Sequence, residues 1–455
     1  MFENLLGQAA AEQLASDFKA GSLPPAMLFS GPVASGKGTA SYELGRIISC
    51  EAPGTAAEKA AWACQCPACS RHRFLAHGDL LCLGWKSFSG EINASRDCFE
   101  RETSFSSRML FIRSVRKLLL RFNPVLWEDD TKGAKYSHLI SSLDEDLNEL
   151  SESNDSADTQ NKLPGKLIEG IVKNAFLLES EGLGENIPIA QIKRAASWSY
   201  LAPAGNGKLL IIENSDLMQD EARNSLLKLL EEPPGRLNIV LTATRPGSLL
   251  PTIVSRLRTY RFIARDFKTE KEIIRRIFKD SETDRPADTG IAQYLDSFLS
   301  VSPDTLEKLA AFFAASAAYK AALLIKKRGR PLPQQIVLLG KFSAPKAEAA
   351  GLGRPHKDPL QVTSLIVEKA CNFGSKVLFS RFLSCLLEQV SKSNEQDAFL
   401  PPVSYNEIWK NQCGWAENAV RFYNLRPALV LEKLFTDLTL KIAELFDGEH
   451  SVGEH

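Results

Sequence analysis

The chain has 455 residues, 44% of them apolar, and its 55 basic residues are balanced by 55 acidic ones. This ordinary composition excludes collagen-like, wholly disordered and disulfide-scaffold proteins, and the length predicts about three domains. Because the net charge is zero, no global field attracts the chain to DNA or to an anionic membrane. Contacts with nucleic acid would have to be local or made through partner subunits.

Two features of the sequence predict a soluble, cytoplasmic protein with no membrane partner. The N-terminus lacks a basic region followed by an apolar one, and no run of about 18 apolar residues occurs. The cysteines are too sparse for a disulfide framework, but four of them lie within residues 50–69. In a reducing compartment such a local concentration favours a metal site.

The first predicted elements are a strand, a glycine-rich loop and a helix. Residues 31–38, G-P-V-A-S-G-K-G, fit the phosphate-loop pattern G-x-x-x-x-G-K in this context. Backbone amides of such a loop can hold phosphates, with the lysine as charge partner. The pattern therefore predicts that ATP or ADP can bind to Gly31, Gly36, Lys37, Gly38 and Thr39. The alternative is a glycine-rich turn without a ligand.

The loop lacks one functional group that hydrolysis needs. Gly38 stands where the motif usually has a Ser or Thr whose hydroxyl ligates Mg²⁺. Thr39 follows one residue too late to replace that hydroxyl. The sequence therefore argues against Mg²⁺ binding and against hydrolysis, although it leaves nucleotide binding open.

The cysteine cluster predicts a structural Zn²⁺ site. Four thiolates are the number that a closed tetrahedral zinc site needs, and such a site has no open position for catalysis. The expected ligands are Cys50, Cys64, Cys66 and Cys69. His72 or His77 could substitute for a poorly placed thiol, and free thiols without a metal are the alternative.

Residues 85–185 break the alternation of strands and helices and are interpreted as an insertion. An amphipathic helix is predicted at 105–122. Residues 151–158 contain no large apolar side chain, so burial cannot offset the entropy of ordering them. This segment is predicted to be disordered or to be a mobile linker, and no motif in the insertion indicates its role.

Two further apolar strands are predicted at 209–212 and 239–241, and together with the first they indicate a parallel sheet with helices on both faces. Phosphate-loop NTPases need a metal-binding carboxylate and, in many, a glutamate that polarises water. Glu213, at the end of its strand, could reach a metal, or it could be only a strand-end residue. Asn214 has no carboxylate and cannot act as a base.

Residues 224–234, N-S-L-L-K-L-L-E-E-P-P, predict a helix that is stopped by proline. Together with 250–256, L-P-T-I-V-S-R, they resemble the most distinctive stretch of bacterial DNA polymerase III clamp-loader AAA+ subunits. The resemblance covers 1–84 and 187–265, and the closing segment 424–434 is also similar. Other matching residues are Phe2, Leu6-Gly7-Gln8, Gly78-Asp79, Ile189, Gln191, Ile192 and Arg194.

The resemblance implies a fold and a domain order. It implies an α/β AAA+ core at 1–265, which contains a zinc module at 50–69 and the partly disordered insertion at 85–185. An all-α lid at 266–330 and an all-α collar for oligomerisation at 331–455 would follow. From 267 onward helical periodicity indeed dominates the sequence.

The resemblance also implies roles for two further residues. Ser255-Arg256-Leu257 matches the family's Ser-Arg-Cys motif except at its third residue. Arg256 would then be an arginine finger that reaches the nucleotide of a neighbouring subunit, where its planar charged fork stabilises phosphoryl transfer. Thr244 matches the family's sensor beside the γ-phosphate. The alternatives are a surface arginine paired with a local carboxylate and a threonine that caps a turn.

The metal hydroxyl, the catalytic glutamate and the lid arginine expected near 300–305 are all missing. This pattern resembles the delta-prime type of subunit and not the gamma and tau motors. It implies a component of a DNA-directed DNA polymerase holoenzyme that has lost its own ATPase. Its partners would be the motor and delta subunits of a hetero-pentamer, the sliding clamp and primed DNA. The alternatives are an active motor that uses Glu213 and Thr39, and a nucleotide-independent scaffold.

Overall fold

The computed structural model describes the chain in two compact units, Met1–Phe298 and Leu299–His455. The described residues are 1–448 without 56–58, 129, 153–164, 185, 281–289, 300, 350, 371–375, 396–402, 422 and 424. The predicted lid at 266–330 spans the junction of the two units. The boundaries expected at 265 and 330 stay predictions.

A five-stranded parallel sheet forms the centre of the first unit, with strand order β2-β3-β4-β1-β5. Side chains of β1 and β3 alternate between two apolar clusters, so both faces of the sheet are covered. This confirms the predicted fold class of a parallel α/β core. The strands are β1 (Ala26–Ser30), β2 (Leu80–Leu83), β3 (Lys208–Ile212), β4 (Leu237–Ala243) and β5 (Arg258–Arg261).

Helices that precede the insertion in the chain cover one face of the sheet, and helices that follow it cover the other face. One apolar cluster includes residues of the first two helices and the other includes residues of the eighth and ninth. These helices are α1 (Ala9–Lys19), α2 (Lys37–Ile48) and α3 (Pro67–Arg73) before the insertion, and α8 (Ile189–Ser199), α9 (Asp220–Glu231) and α10 (Pro251–Val254) after it. The phosphate loop is the connection from β1 to α2.

The insertion between β2 and β3 folds into a helical bundle with its own apolar core. The helix predicted at 105–122 is present as α5, continued by a 3-10 turn (Leu120–Phe122). Of the stretch predicted to be disordered, residues 151 and 152 end a helix, and the rest lies outside the described residues. The bundle helices are α4 (Ser89–Arg101), α5 (Phe105–Leu119), α6 (Thr131–Glu152) and α7 (Gly165–Leu177).

The remaining helices follow the sheet. Two of them, α11 (Phe267–Phe278) and α12 (Ile291–Asp296), belong to the first unit and pack near α4 through a small apolar cluster. The second unit is all-helical over its described residues and shares one core. Its helices are α13 (Pro303–Lys327), α14 (Gln334–Ala349), α15 (Pro359–Lys369), α16 (Lys376–Asn394), α17 (Val403–Arg421) and α18 (Pro427–Gly448).

One helix in the described part of the chain is long and apolar enough to cross a membrane. It spans Asp304–Lys327 within α13, and 67% of its most apolar window is buried in the second unit. The core helix of a soluble protein has the same properties, so length and composition are weak evidence for a membrane span here.

Replacing Phe111 by Ala tests whether the inserted bundle is a packed body. The Phe111 ring is fully buried in the bundle core, stacked against Phe99. We expect the free energy of unfolding to fall by about 3–5 kcal/mol, because the lost ring leaves a cavity. Phe105→Ala is the matched control on the same helix, since Phe105 is 59% exposed. Chemical denaturation would contradict the packed bundle if the two variants unfolded at the same midpoint.

Candidate functional site

The phosphate loop connects β1 to α2, as the motif predicts. Two of its glycines are required by close approach of neighbouring atoms. A Cβ on Gly31 would lie 2.2 Å from the carbonyl oxygen of Phe262, and one on Gly36 would lie 2.7 Å from Nη2 of Arg265. Gly36 also has a φ of +96° and precedes the first residue of α2. The loop is therefore held tightly against the segment that follows β5.

Lys37 is bound to the loop itself. Its Nζ donates to the carbonyl oxygens of Gly31 at 2.6 Å and Pro32 at 2.5 Å. Burial of the ammonium lowers the pKa of Lys37 to about 8, while Asp216 and Glu213 oppose that shift. A bound phosphate would have to replace the two carbonyl oxygens as the partner of this ammonium group.

Arg265 is a second cation at the loop, and the sequence pattern gave no signal for it. Its Nη1 donates to the carbonyl oxygen of Ala34 at 2.9 Å, and its Nε donates to that of Leu6 at 2.8 Å. Arg265 thus joins the N-terminal segment to the middle of the phosphate loop. No motif marks this residue, because its role follows from where the chain returns after β5.

Glu213 lies at the end of β3, where the sequence analysis places it, and its carboxylate is paired with Arg121. The guanidinium Nη2 of Arg121 donates to Oε2 of Glu213, and both side chains are buried. Arg121 also donates through Nε to the carbonyl oxygen of Gly84 at 2.9 Å and through Nη1 to Sγ of Cys82 at 2.8 Å. In this arrangement a cation of the chain itself neutralises the carboxylate that a divalent metal would need.

The ionisation of Arg121 is maintained although it is buried. Burial by itself would lower the pKa of Arg121, but the nearby Cys82, Tyr42 and Glu213 raise the pKa above its usual value. An arginine also keeps its charge in almost every protein environment. The Arg121 guanidinium therefore stays charged over the physiological pH range.

Gly38 makes room for this pair. A Cβ on Gly38 would lie 2.7 Å from Oε1 of Glu213. A Ser or Thr at this position would collide with the carboxylate in its present place. The absence of a metal-binding hydroxyl at position 38 is thus what allows the Glu213 carboxylate to occupy its present place.

Asn214 stands where many NTPases carry the catalytic glutamate, and here it forms hydrogen bonds that connect neighbouring segments of the site. It adopts a left-handed conformation with φ of +51°. Its backbone N–H donates to Oγ1 of Thr242 at 3.0 Å, and its side-chain amide donates to the carbonyl oxygen of Trp85 at 2.7 Å.

Thr244 follows β4 and is half-buried, and Thr39 lies in the first turn of α2.

Arg256 follows α10 and is part of an exposed ion pair. Its Nη2 donates to Oε1 of Glu231 at 2.6 Å, and its Nη1 donates to the carbonyl oxygen of Thr252 at 2.6 Å. One third of the Arg256 side chain is exposed to solvent. Glu231 is the last residue of α9, so the distinctive helix and the arginine motif of the sequence analysis meet here. Exposed pairs of this kind contribute about 0–1 kcal/mol.

The four predicted cysteines converge. Their sulfur atoms all lie within 4.8 Å of one another, with Cys50 Sγ 3.8 Å from that of Cys64 and 3.9 Å from that of Cys66. Zinc–sulfur bonds of about 2.3 Å in a tetrahedron put sulfur atoms about 3.8 Å apart. The geometry fits a four-thiolate Zn²⁺ site, and neither histidine considered as a substitute belongs to this group of ligands. His72 instead stacks on His77, with ring centroids 4.2 Å apart.

The surroundings of the cluster favour the thiolate form at Cys66, whereas burial opposes it at Cys69. Burial raises the pKa of the Cys66 thiol, but hydrogen bonds, the first from the backbone N–H of Cys69, bring it down to about 6. Burial raises the pKa of the Cys69 thiol, although Arg46 donates to its sulfur at 3.3 Å. The buried Arg46 cation also offsets part of the negative charge that four thiolates carry around Zn²⁺.

Comparisons with known proteins agree with the family proposed from the sequence. Residues 128–266 match the family model described as "DNA polymerase III, delta subunit". The chain is 35% identical over 91 residues to DNA polymerase III subunit delta' of Pseudomonas aeruginosa, which is 20% of this chain and 28% of that protein. It is 40% identical over 98 residues to subunit delta' of Bacillus subtilis, or 21% of this chain and 29% of that protein. The matches thus span less than a third of these relatives.

A solved structure of a gamma subunit-related protein from Thermotoga maritima was also matched. The match covers 57% of this chain and 81% of the Thermotoga chain, with 20% sequence identity and a TM-score of 0.30.

The parallel sheet, the phosphate loop and the carboxylate at the end of β3 define a protein of the phosphate-loop α/β class. Within that class, the matched segments are similar to the delta and delta' subunits of DNA polymerase III.

A double-mutant cycle measures the Arg121–Glu213 pair. Arg121→Gln and Glu213→Gln should each lower the free energy of unfolding by about 3–5 kcal/mol, because each leaves a buried charge without its partner. The double variant should cost less than the sum of the two, by about 1–3 kcal/mol.

The matched control for this cycle is Arg275→Gln. Arg275 forms an exposed ion pair with Glu272 at 2.8 Å, so its loss should cost less than about 1 kcal/mol. If Arg121→Gln lowered the denaturation midpoint no more than Arg275→Gln does, the result would contradict a buried, coupled pair.

Metal analysis tests the cysteine cluster. The purified full chain should contain about one zinc ion, and Cys66→Ser should lose most of it, because three thiolates hold zinc less well than four. Cys385→Ser is the control, since Cys385 lies in the second unit outside the cluster. Equal zinc content in all three proteins by mass spectrometry would show that the four thiols do not bind the metal.

Proposed function

We propose that this chain is a delta-prime-like subunit of the DNA polymerase III clamp-loader complex. In this role it assists ATP-dependent loading of the sliding clamp onto primed DNA in the cytoplasm. It does so next to a gamma- or tau-type motor subunit and with the delta subunit, in a hetero-pentamer. Its own ATPase activity is lost, and its contribution to chemistry is made in the ATP site of its neighbour.

The observation that carries this proposal is the neutralisation of Glu213 by Arg121. A motor subunit needs a free carboxylate for Mg²⁺ and a base that orients the attacking water. Here the carboxylate is paired with a guanidinium, and the next residue, Asn214, has no carboxylate. Together with the similarity to delta' proteins, this favours a subunit that does not hydrolyse ATP over an active motor.

Arg256 is the residue proposed to act in the neighbouring subunit. It is accessible, and its present partner Glu231 is a carboxylate that is half-exposed. Because such a pair contributes about 0–1 kcal/mol, exchanging Glu231 for a γ-phosphate of the neighbour requires little energy. The guanidinium fork can then bind phosphate oxygens in the same way as it binds a carboxylate.

A nucleotide-independent scaffold is the second candidate, and the contacts of Lys37 favour it. Its ammonium group is already bound by two loop carbonyl oxygens, so a nucleotide would have to compete with contacts inside the loop. Titration of the full chain with a fluorescent ATP analogue separates the two candidates. Saturable binding that Lys37→Ala abolishes supports a resident nucleotide, and absence of binding supports the scaffold. Either result is compatible with Arg256 acting on the neighbour.

The direct test is the ATPase rate of the reconstituted complex with the motor and delta subunits, clamp and primed DNA. Arg256→Ala should lower this rate by about 10³-fold or more at the site it serves, because arginine fingers contribute 10³–10⁵ to such reactions. Assembly should be unchanged, since only an exposed pair is lost.

Arg275→Ala is the control for this test, as an exposed, ion-paired arginine on α11. An unchanged rate with Arg256→Ala would refute the finger. Hydrolysis by the isolated chain that Lys37→Ala abolishes would identify an active motor instead.

A further inference from the structure

Helix α5 of the inserted bundle contacts the cysteine module near its middle. Nη1 of Arg113 donates to the carbonyl oxygens of Arg73 and, at 3.4 Å, of His72. Nη1 of Arg116 donates to the carbonyl oxygen of Phe74 at 3.0 Å. These acceptors belong to the last turn of α3 and the residue that follows it. Carbonyl groups there lack partners within the helix, and arginines are well suited to bind them.

The position of α3 depends on the cysteine cluster. Cys66 precedes the first residue of α3 and its sulfur accepts from the backbone N–H of Cys69, so two of the four sulfur ligands bracket the first turn. A helix of only seven residues has no stability of its own in water. Besides its packing in the apolar core around Cys69, α3 would be held by metal ligation at Cys66 and Cys69, which would help to fix the carbonyl groups that Arg113 and Arg116 bind.

The C-terminal end of α5 reaches the phosphate-loop site. Leu120, directly after the helix, packs in the same apolar cluster as Cys50 and Cys69. Arg121 follows and binds Glu213 and Gly84. From residue 113 to residue 121 is about 12 Å along a helix, at 1.5 Å per residue. One short, stiff element therefore connects the two sites.

We propose that Arg113 and Arg116 are positioning residues that couple the metal-loaded cysteine cluster to the Arg121–Glu213 pair. With zinc bound, α3 offers fixed acceptors, α5 is anchored, and Arg121 is held against Glu213. Without zinc, α3 loses its order, the two arginines lose their acceptors, and the end of α5 becomes free to move. This coupling does not depend on Arg256, so the failure of the finger test would leave it standing.

Hydrogen–deuterium exchange of the full chain tests the coupling without any activity measurement. Removal of zinc with a chelator should accelerate exchange of backbone amides by about tenfold or more in two segments, the cysteine module and residues 117–122. Helix α9, on the opposite face of the sheet, should keep its exchange rate, and re-adding Zn²⁺ should restore protection. Acceleration confined to residues 50–75 would refute the coupling. Acceleration throughout the first unit, or a folded chain purified without zinc, would refute it as well.

The double variant Arg113→Gln/Arg116→Gln tests the same coupling from the other side. Because coupling between two sites is reciprocal, this variant should bind Zn²⁺ about tenfold more weakly in competition with a chromophoric chelator, as loss of supporting residues around a metal site generally does. It should also show fast exchange at 117–122 with zinc present. Arg113→Lys/Arg116→Lys keeps the positive charges and should recover part of both effects. Zinc affinity and exchange equal to those of the unmodified chain would overturn the proposal.

Discussion

The buried ion pair between Arg121 and Glu213 is the interaction on which the candidate site depends. A buried carboxylate without a partner is costly, so Glu213 needs either a metal ion or a cation of the protein. The chain supplies an arginine, and the neighbouring groups adapt to it. Gly38 leaves space for the carboxylate, and Gly84 offers a carbonyl oxygen to the guanidinium. The phosphate loop is thereby combined with a strand-end carboxylate that is already paired within the chain.

The inserted bundle gives this pair its geometry. Its helices have an apolar core of their own, so α5 can present a polar residue at a fixed place beside the sheet. The same helix binds the end of the cysteine module through two arginines. The insertion therefore joins parts of the first unit that the sheet alone does not connect. This gives a structural role to a segment in which the sequence showed no motif.

Arg256 and Arg121 both form ion pairs with a glutamate, but the two pairs differ in their exposure to solvent. Arg256 pairs with Glu231 at the surface, where solvent weakens the interaction. Arg121 pairs with Glu213 in the interior, where exchange of partners would be expensive. The two arginines thus differ in how readily they can change partners. Of the two, Arg256 is the one that can exchange its partner at low energetic cost.

The sequence by itself determined the local elements. Apolar runs predicted β1, β3 and β4 and placed Glu213 at the end of β3, and helical spacing predicted a helix over 105–122, where α5 and a 3-10 turn lie. The short strands β2 and β5 were not predicted. The cysteine spacing predicted the sulfur cluster, and the missing hydroxyl and carboxylate were visible in single residues. Each of these features depends on neighbours in the chain, which is why pattern and residue type suffice. Helices α4, α6 and α7 were not predicted. The prediction for residues 151–158 was wrong at 151–152, which belong to α6.

Tertiary structure alone decided how the charged groups are paired. Arg121 and Glu213 are 92 residues apart in the chain, and nothing local to either marks the other as its partner. The same holds for Arg265 at the phosphate loop and for Arg113 and Arg116 at the end of α3. Polar partners are chosen by distance and burial in the folded chain. Both arise only when segments that are distant in sequence pack together.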